Sequence, residues 1–417
     1  MTPSAVLIHD EVQQGSDLMA ATTAKKRAAA ESDYQPPLRP LDASALKVTL
    51  TQNPRPVPEV DDPVYDSCNV CTDHMITAVW NSNTGWHAPE LKPYGPFSLM
   101  PTASVLHYGT ECFEGLKAYR GYDGKLRLFR PDCNARRMVA SALRVGLPAF
   151  DSAELEKLII KIMEVDGARW LPKSRPGQFL YLRPALIGSN PGLGVAAPTE
   201  ATLFIISVCF PQMDTISGGI SLLASEDDMV RAWPGGYGYA KVGGNYAGSL
   251  VAQAEASKQG FTQVLWLMDD ERKVTEAGAS NFMVVWRTKE GKLQLITAPL
   301  EDKIILDGVT RRSVLQLATD RLSSPNGDLE PLEVVEKWFT MEELLEAYQE
   351  GRFLEAFAVG TAWFVGTVSR IRAGNNEIIL PETVKYASQL KTWLRNIMYG
   401  EEAHEWGVVV EERPALT

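Results

Sequence analysis

The sequence is poor in cysteine and has fewer basic than acidic residues. Its five cysteines are an odd number in a chain of 417 residues, so a disulfide scaffold is excluded and reduced thiols are expected. The 41 lysines and arginines are outnumbered by 52 aspartates and glutamates, which leaves a net charge of −11. Nucleic acid and anionic membrane surfaces attract basic proteins, so neither is expected as a partner.

Long apolar runs are also missing. The longest ones, such as residues 201–210, have the length of a strand, whereas a helix that crosses a bilayer needs about 20 residues. Near the start of the chain, Asp10, Glu11 and Asp17 precede the first lysine, Lys25. Because a mitochondrial transit peptide is rich in arginine and poor in acids, a cytoplasmic location is expected.

What is present fits a globular α+β protein with two α/β domains. Hydrophobic residues make up 45% of the chain and charged residues 22%, and its length corresponds to two or three domains of about 150 residues. Residues 1–45 lack apolar periodicity and predict a mostly disordered tail. The turn residues then predict a small N-terminal domain over 46–210, an interdomain loop over 211–219 and a large C-terminal domain over 220–417.

The spacing of apolar residues predicts the individual elements. Strand patterns occupy residues 75–80, 126–129, 179–186, 201–210, 263–268, 282–286 and 293–297, and helical patterns occupy 134–145, 153–166, 247–259, 310–321 and 341–351. This alternation predicts sheets with helices packed on them.

The first cluster that could carry chemistry is the glycine-rich segment 235–246, which contains Lys241. Glycines on both sides of this lysine let a ligand approach its amine closely, and a helical pattern follows. A flexible surface loop with a solvated lysine is the commoner meaning of such a segment, because an isolated glycine-rich stretch is a weak signal.

Two further clusters offer a carboxylate and anion-binding amides. Glu276 stands among small residues at a strand edge, where it could pair with a protonated ring nitrogen or simply face water in a turn. Segments 306–311 and 359–362 are interpreted as helix starts whose free amides could bind phosphate, although ordinary capping is the commoner use of glycine and threonine there.

A lysine, a carboxylate and phosphate-binding amides are together what pyridoxal phosphate needs for its covalent link, its ring nitrogen and its phosphate. From about residue 43 to residue 406 the chain resembles the branched-chain amino-acid aminotransferases, which are fold-type IV pyridoxal-phosphate enzymes with the D-amino-acid-aminotransferase-like fold. The stretches that carry this resemblance are His107-Tyr108, Phe113-Glu114-Gly115-Leu116-Lys117-Ala118, Leu128-Phe129-Arg130-Pro131, Tyr181-Leu182-Arg183-Pro184, Lys241-Val242-Gly243-Gly244-Asn245-Tyr246, Thr275-Glu276, Gly308-Val309-Thr310-Arg311 and Gly360-Thr361-Ala362.

The resemblance implies roles around the cofactor ring. Lys241 is implied to be the catalytic residue, which carries pyridoxal phosphate and later shuttles a proton between substrate and cofactor. Glu276 is implied to pair with the pyridine nitrogen, and Tyr246 to hydrogen-bond the phenolic oxygen.

The resemblance also implies a phosphate site. Arg137 matches the arginine that binds the phosphate, which makes its neighbour Arg136 a bystander. The amides of Val309 and Thr310 and the hydroxyl of Thr361 are implied to complete the cup.

The substrate site is implied in the same way. Tyr108, Phe113 and Tyr181 would line an aliphatic pocket, although plain core packing of these rings is a competing explanation. Arg183 would help to bind the distal carboxylate of glutamate. Two backbone amides would bind the α-carboxylate, those of Thr361 and Ala362.

A homodimer is also implied, because Leu193 and Val195 match a loop that reaches into the pocket of the neighbouring subunit. The chain departs from the mammalian enzymes at two pocket positions, where it has Ala240 in place of tyrosine and Ala279 in place of threonine. These changes leave the preferred substrate open.

A third departure concerns redox control. The mammalian enzymes carry a Cys-x-x-Cys pair where this chain has Trp363 and Gly366. We therefore expect that this protein lacks that thiol switch and that Trp363 fills space near the site.

The expected activity is a reversible ping-pong transfer of the amino group between L-leucine, L-isoleucine or L-valine and 2-oxoglutarate. A D-amino-acid transaminase, an amine transaminase or an aminodeoxychorismate lyase would share Lys241, Glu276 and Arg137. A catalytically silent relative that binds the cofactor or a metabolite is a further alternative, against which the intact Lys241 and Glu276 speak.

Overall fold

A computed structural model describes residues 38–60, 62–212, 218–381 and 384–412. Most of the predicted tail, residues 1–45, and most of the predicted loop, residues 211–219, lie outside the described residues. The last residues of the predicted tail are ordered, since Leu41 is buried and the Ala43 amide donates to Glu154 Oε2 at 2.7 Å. Within the described ranges, no helix is long and apolar enough to cross a membrane.

The first sheet is built mainly by strands of the first half of the chain. They are β1 Lys47–Val48, β2 Cys71–Asn81, β3 Gly85–Trp86, β4 Glu90–Pro93, β5 Glu111–Phe113, β6 Leu116–Arg120, β7 Leu126–Phe129, β8 Phe179–Gly188 and β9 Glu200–Val208. Their spatial order is β1-β4-β2-β9-β8-β6-β7, with β3 beside β2 and β5 beside β8. The pair β1–β4 is parallel, and the other pairs are antiparallel.

Helices pack on this sheet because their apolar residues recur with helical spacing. They are α1 Ser104–Tyr108, α2 Pro131–Arg144 and α3 Ser152–Trp170. In α3 the fully buried positions Leu155, Leu158, Ile159 and Ile162 form one face, which joins the strands in a common core. That face holds α2 and α3 against the sheet, and α2 carries three residues of the site described below, Asn134, Arg137 and Ser141.

The second sheet closes into a barrel of six strands. Its strands are β10 Ile220–Ala224, β11 Gln263–Met268, β12 Lys273–Ala277, β13 Ser280–Arg287, β14 Leu293–Thr297, β15 Glu333–Glu336, β16 Phe353–Gly360, β17 Phe364–Ala373 and β18 Asn376–Ile379. Around the ring the strands pair in the order β10-β11-β12-β13-β16-β17-β10. Strands β14 and β15 extend the sheet from β13, and β18 extends it from β17. The ring closes at the β12–β13 hairpin, where Glu276 lies opposite Asn281.

Helices of the second half bring the two sheets together. They are α4 Gly244–Ala247, α5 Leu250–Lys258, α6 Val309–Leu322, α7 Met341–Gln349 and α8 Tyr386–Tyr399. One buried core contains Phe129 of the first sheet, Met283 of the second, Val314 of α6 and Leu390 of α8. This shared core packs the two sheets against each other, and the space between the sheets, where the site described below lies, is called the groove.

The end of the chain returns to the first sheet, which no sequence pattern indicated. Strand β19, Gly407–Val410, pairs antiparallel with β7. Just after it, Glu412 makes an ion pair with Arg120 of β6, whose side chain is fully buried and also donates to the carbonyls of Leu171 and Gly124. The boundaries of the two domains stay a prediction.

Replacing Glu412 tests how much this last segment stabilises the fold. Glu412→Ala should lower the free energy of unfolding by about 3 kcal/mol, because it leaves a buried guanidinium without its carboxylate. Glu411→Ala, at the exposed neighbouring position, should change it by less than about 0.5 kcal/mol. Denaturant midpoints of both variants check this, and equal midpoints would contradict it.

Candidate active site

The glycine-rich loop around Lys241 is held in place from three directions. Asn245 Nδ2 donates to the carbonyls of Tyr237 at 2.9 Å and Ala240 at 2.7 Å, which closes the loop on itself. The Phe113 amide donates to the Lys241 carbonyl at 3.0 Å, and the Lys241 amide donates to Ser141 Oγ at 2.8 Å. Strand β5 and helix α2 thus fix the lysine backbone, so the loop is not a free surface segment.

The Lys241 amine is directed into the site. Its Nζ donates to the Tyr246 hydroxyl at 2.8 Å and lies 4.8 Å from the centroid of the Phe113 ring. The lysine is half-buried, so the amine is partly shielded from water. The resemblance placed Lys241 and Tyr246 at the cofactor and Phe113 in the substrate pocket, and the fold brings these three side chains together.

Glu276 lies on strand β12 of the barrel, near the hairpin that closes the ring. Its side chain is almost fully buried, and its Oε1 accepts from Asn281 Nδ2 at 3.0 Å and from the Leu306 amide at 3.4 Å. The alternative of a turn carboxylate that faces water is therefore wrong. Burial raises the pKa of Glu276, and the charges of Arg231 and Lys241 together with the Leu306 amide oppose that rise.

Arg231 is a site residue that no sequence pattern indicated. Its Nη1 lies 2.5 Å from Glu276 Oε2, in an ion pair whose angle does not make a hydrogen bond. Both side chains are nearly inaccessible to water. A buried carboxylate needs a cation nearby, so a basic partner for Glu276 could be expected on physical grounds. The sequence does not indicate which arginine is that partner.

Arg137 has a buried carboxylate as its partner. Its Nε and Nη2 donate to the two oxygens of Glu114 at 2.7 and 2.8 Å, and its Nη1 donates to the Asp307 carbonyl at 2.9 Å. Glu114 also accepts from Asn134 Nδ2 at 2.8 Å. Burial alone lowers the pKa of Arg137, but the charge and the hydrogen bonds of Glu114 oppose this effect, with smaller contributions from Tyr246 and Asp307. Together they outweigh burial, so that the pKa is raised and the guanidinium stays charged.

The Arg137 guanidinium is held beside the first turn of α6. Gly308 precedes this helix without any side-chain cap, so the amides of Val309 and Thr310 have no partner within the helix. The Thr310 hydroxyl donates to the Gly360 carbonyl at 3.2 Å, which ties the helix start to strand β16. Unpaired amides, a helix dipole and an arginine together suit a phosphate group.

Segment 359–362 is not a helix start, so that sequence interpretation was wrong. Val359 and Gly360 end β16 and pair with Val365 and Phe364 of β17, which makes the segment the turn of a β-hairpin. Glycine followed by threonine serves a turn as well as a helix cap, and strand pairing decides here. The Thr361 hydroxyl donates to the Gly115 carbonyl at 3.2 Å, which brings this turn against the first sheet.

Aromatic and basic side chains lie on the face of the first sheet toward the lysine. Arg183 Nη2 donates to the Tyr181 hydroxyl at 3.1 Å, and its guanidinium lies 4.6 Å from the centroid of Phe113. A side chain at Gly115 would collide with the Tyr181 hydroxyl, so only glycine fits there. Tyr181 also stacks on Phe210 at 4.5 Å, so core packing explains part of its environment.

The other predicted substrate residues lie around the same opening. The Tyr108 hydroxyl donates to the Leu193 carbonyl, and Tyr108, Leu193 and Val195 are exposed, at 39%, 57% and 86%. The Ala362 carbonyl accepts from Lys117 Nζ at 3.2 Å. Lys117 is buried and was quoted only as part of a motif, so its place beside Ala362 is a further feature that the sequence did not indicate.

The departures from the mammalian pattern differ in their surroundings: Ala279 is exposed, whereas Ala240 and Trp363 are packed. Ala240 is buried in the core of the first sheet, and Trp363 packs against the core of the barrel. A side chain at Gly366 would approach Ile220 Cδ1 to 2.5 Å. That Trp363 fills space beside the site in place of a thiol pair stays a prediction.

The residues present fit pyridoxal phosphate. The hydrogen-bond-free Glu276 Oε2 is a suitable acceptor for a ring N–H, and Lys241 supplies an amine beside a tyrosine hydroxyl. Arg137 and the uncapped amides at the start of α6 supply an anion site of the right chemistry. Each of the three groups that the cofactor needs is thus contributed by a side chain or helix end of this groove.

Residues 111–371 match the family described as Amino-transferase class IV. The chain is 41% identical over 377 residues to the mitochondrial branched-chain-amino-acid aminotransferase of Schizosaccharomyces pombe, covering 89% of this chain and 86% of that protein. It is 42% identical over 389 residues to the cytosolic branched-chain-amino-acid aminotransferase of Saccharomyces cerevisiae, covering 90% of this chain and 99% of that protein.

Solved structures resemble the fold. A branched-chain aminotransferase from Thermoproteus uzoniensis with norvaline superposes with a TM-score of 0.62 at 26% identity, covering 80% of this chain and 99% of that one. The branched-chain amino acid aminotransferase from Thermobaculum terrenum in its PLP-form gives a TM-score of 0.61 at 23% identity, covering 81% and 98%. These likenesses confirm the predicted fold class.

Two adjacent arginines allow a matched test of the phosphate site. Arg137→Gln should weaken binding of pyridoxal phosphate by about 10- to 100-fold, the size of lost charge-assisted hydrogen bonds. Arg136→Gln should leave it unchanged, because Arg136 is 61% exposed and pairs with Asp132. Equilibrium dialysis measures both, with pyridoxal as the ligand that lacks the phosphate. A similar loss for pyridoxal would contradict a phosphate-specific role.

Proposed function

The chain belongs to the Amino-transferase class IV family, and from that premise we propose that it transfers amino groups between branched-chain L-amino acids and 2-oxoglutarate with pyridoxal phosphate as its cofactor. The observation that carries the proposal is the position of the Lys241 amine, which hydrogen-bonds the Tyr246 hydroxyl at 2.8 Å and lies 4.8 Å from the centroid of the Phe113 ring. The identity to branched-chain-amino-acid aminotransferases over most of the chain supports the substrate class.

Bound pyridoxal phosphate supplies an electron sink that makes the proton on the substrate Cα acidic. Lys241 Nζ is the base that removes this proton and holds it for return. The Tyr246 hydroxyl, 2.8 Å away, keeps the amine on the side of the groove where Cα is exposed. Because Phe113 covers the amine at 4.8 Å, the lysine exchanges its proton with substrate more readily than with bulk water.

Glu276 is proposed to hold the ring nitrogen of the cofactor in its protonated form. A carboxylate can do this only while it is ionised, and its burial works against ionisation. Arg231 supports the ionised form through the ion pair to Oε2, while Oε1 is held by Asn281 and the Leu306 amide. Arg231 therefore acts as a positioning residue for Glu276.

The substrate is proposed to lie between the hairpin turn and the aromatic side chains. The amides of Thr361 and Ala362 would bind the α-carboxylate, and Tyr108, Phe113 and Tyr181 would face a branched aliphatic side chain. Arg183 would receive the second carboxylate of glutamate, since its guanidinium is only partly used by Tyr181. One pocket thus serves both half-reactions of a ping-pong enzyme.

We also propose a homodimer and a cytoplasmic location. Leu193 and Val195 expose apolar side chains on the loop that the resemblance assigns to a neighbouring pocket, and burial by a second subunit would explain them. The acidic residues before Lys25 favour the cytoplasm, although relatives of both cytosolic and mitochondrial name exist. Light scattering of the purified chain and cell fractionation test these two points.

The proposed reaction is tested by the absorbance of the holoenzyme. L-Leucine should abolish the long-wavelength band of the bound cofactor and 2-oxoglutarate should restore it, whereas D-leucine should leave it unchanged. Lys241→Ala should lose the band and all turnover, because it removes the amine that is proposed to carry the cofactor. Lys258→Ala is the control, since that lysine ends α5 with 76% of its side chain exposed and pairs with Glu255.

Either of two results would contradict the proposal. Turnover of leucine by Lys241→Ala would show that Lys241 is not the catalytic residue. The second is an absorbance band that stays unchanged with L-leucine and changes with D-leucine or a simple amine. That result would leave the fold and the cofactor assignment intact but would mean that the protein acts on another class of substrate.

A further inference from the structure

Strand β5 places one acidic residue beside the groups proposed to bind substrate. In the β5–β8 register Glu111 lies opposite Ile187 and Phe113 opposite Ala185, so both side chains share a sheet face with Arg183. Cys112, between them, points to the other face and is fully buried in the core. Glu111 therefore faces the groove, and nothing in the reaction as described so far uses it.

The Glu111 carboxylate contacts the loop of the catalytic lysine. A side chain at Gly243, two residues after Lys241, would collide with Glu111 Oε1, which shows how closely that oxygen lies against the loop backbone. Burial raises the pKa of Glu111, and the Gly243 amide and the Arg183 guanidinium oppose that rise. Phe113 occupies the register position between Glu111 and Arg183 on this sheet face, and its ring lies 4.6 Å from the Arg183 guanidinium, so the two charged groups flank one ring. No salt bridge joins them in the described part of the chain.

Arg183 has donors to spare. Its Nε is buried and makes no hydrogen bond to any described residue, and Nη2 donates to Tyr181. A guanidinium in this condition binds a carboxylate strongly, but it also opposes burial of an apolar side chain next to an uncompensated charge. An enzyme that must accept leucine and glutamate in one pocket needs the charge of Arg183 to be partly offset.

We propose that Glu111 is a specificity-determining residue, whose carboxylate offsets the charge of Arg183 and shifts binding from dicarboxylate substrates toward branched aliphatic ones. The inference rests on the proposed function, because it takes Arg183 as the site of the distal carboxylate. When an apolar side chain fills the pocket, Glu111 serves as the nearby counter-charge. When a distal carboxylate arrives, Glu111 repels it and competes for the same guanidinium.

Binding of unreactive acids to the holoenzyme tests this directly. Glutarate represents the dicarboxylate and 4-methylpentanoate the branched aliphatic acid, and calorimetry gives both dissociation constants. In Glu111→Gln the ratio of the two constants should shift about fivefold toward glutarate, the size expected for one partly buried charge interaction. Glu90→Gln, on the exposed edge of β4, removes the same charge away from the groove and should leave the ratio unchanged.

A double-mutant cycle tests whether the effect of Glu111→Gln on the ratio of dissociation constants depends on Arg183. In an Arg183→Met background, Glu111→Gln should no longer change the ratio, because its partner is gone. Glu111→Asp, which draws the carboxylate back by one methylene, should give a smaller shift of the same sign and serves if the glutamine variant does not retain the cofactor.

Three outcomes would overturn the proposal: an unchanged ratio, an equal loss of affinity for both acids, or a shift that persists without Arg183. An equal loss would mean that Glu111 only supports the lysine loop through Gly243. These failures are distinct from failure of the proposed function, which would appear as a wild-type cofactor band that does not respond to L-leucine.

Discussion

The ion pair between Glu114 and Arg137 is the interaction on which the site depends. Arg137 is held by both carboxylate oxygens and by the Asp307 carbonyl, so its position is set before any ligand arrives. Glu276 and Arg231 form a second buried pair of a carboxylate and a guanidinium. Buried charges are stable only when they are paired, and here each pair directs one charged group toward the groove. Preorganisation of this kind is what catalysis by charge stabilisation requires.

Two sheets are needed to assemble these pairs. The first sheet contributes Glu114 at the end of β5 and carries α2 with Arg137, while the barrel contributes Glu276 at the hairpin where its ring closes. The hydrogen bond from the Phe113 amide to the Lys241 carbonyl links the first sheet to the lysine loop. A shift of either sheet would therefore separate the amine from the groups that are proposed to bind the cofactor.

The family resemblance was enough to name the residues that are proposed to act, but not those that are proposed to position them. Lys241 and Glu276 stand in short motifs whose neighbours define the backbone around them, and strands such as Leu126–Phe129 and Gln263–Met268 were predicted to the residue. Arg231 and Glu114 were missed in these roles because pairing of distant charges is set by tertiary packing. The turn at 359–362 was misassigned as a helix start because only pairing across the sheet distinguishes the two. The match of the family supports the fold and the cofactor, while the individual roles still rest on geometry.

The most direct test of the account is the protonation state of the cofactor ring nitrogen in the holoenzyme. The nitrogen-15 chemical shift of labelled pyridoxal phosphate, bound to the protein at neutral pH, reports that state. The account predicts a protonated nitrogen in the wild type and its loss in Glu276→Gln, because the ionised carboxylate supported by Arg231 holds the proton. An unprotonated nitrogen in the wild type would contradict the role assigned to Glu276, and with it the claim that paired buried charges organise this site.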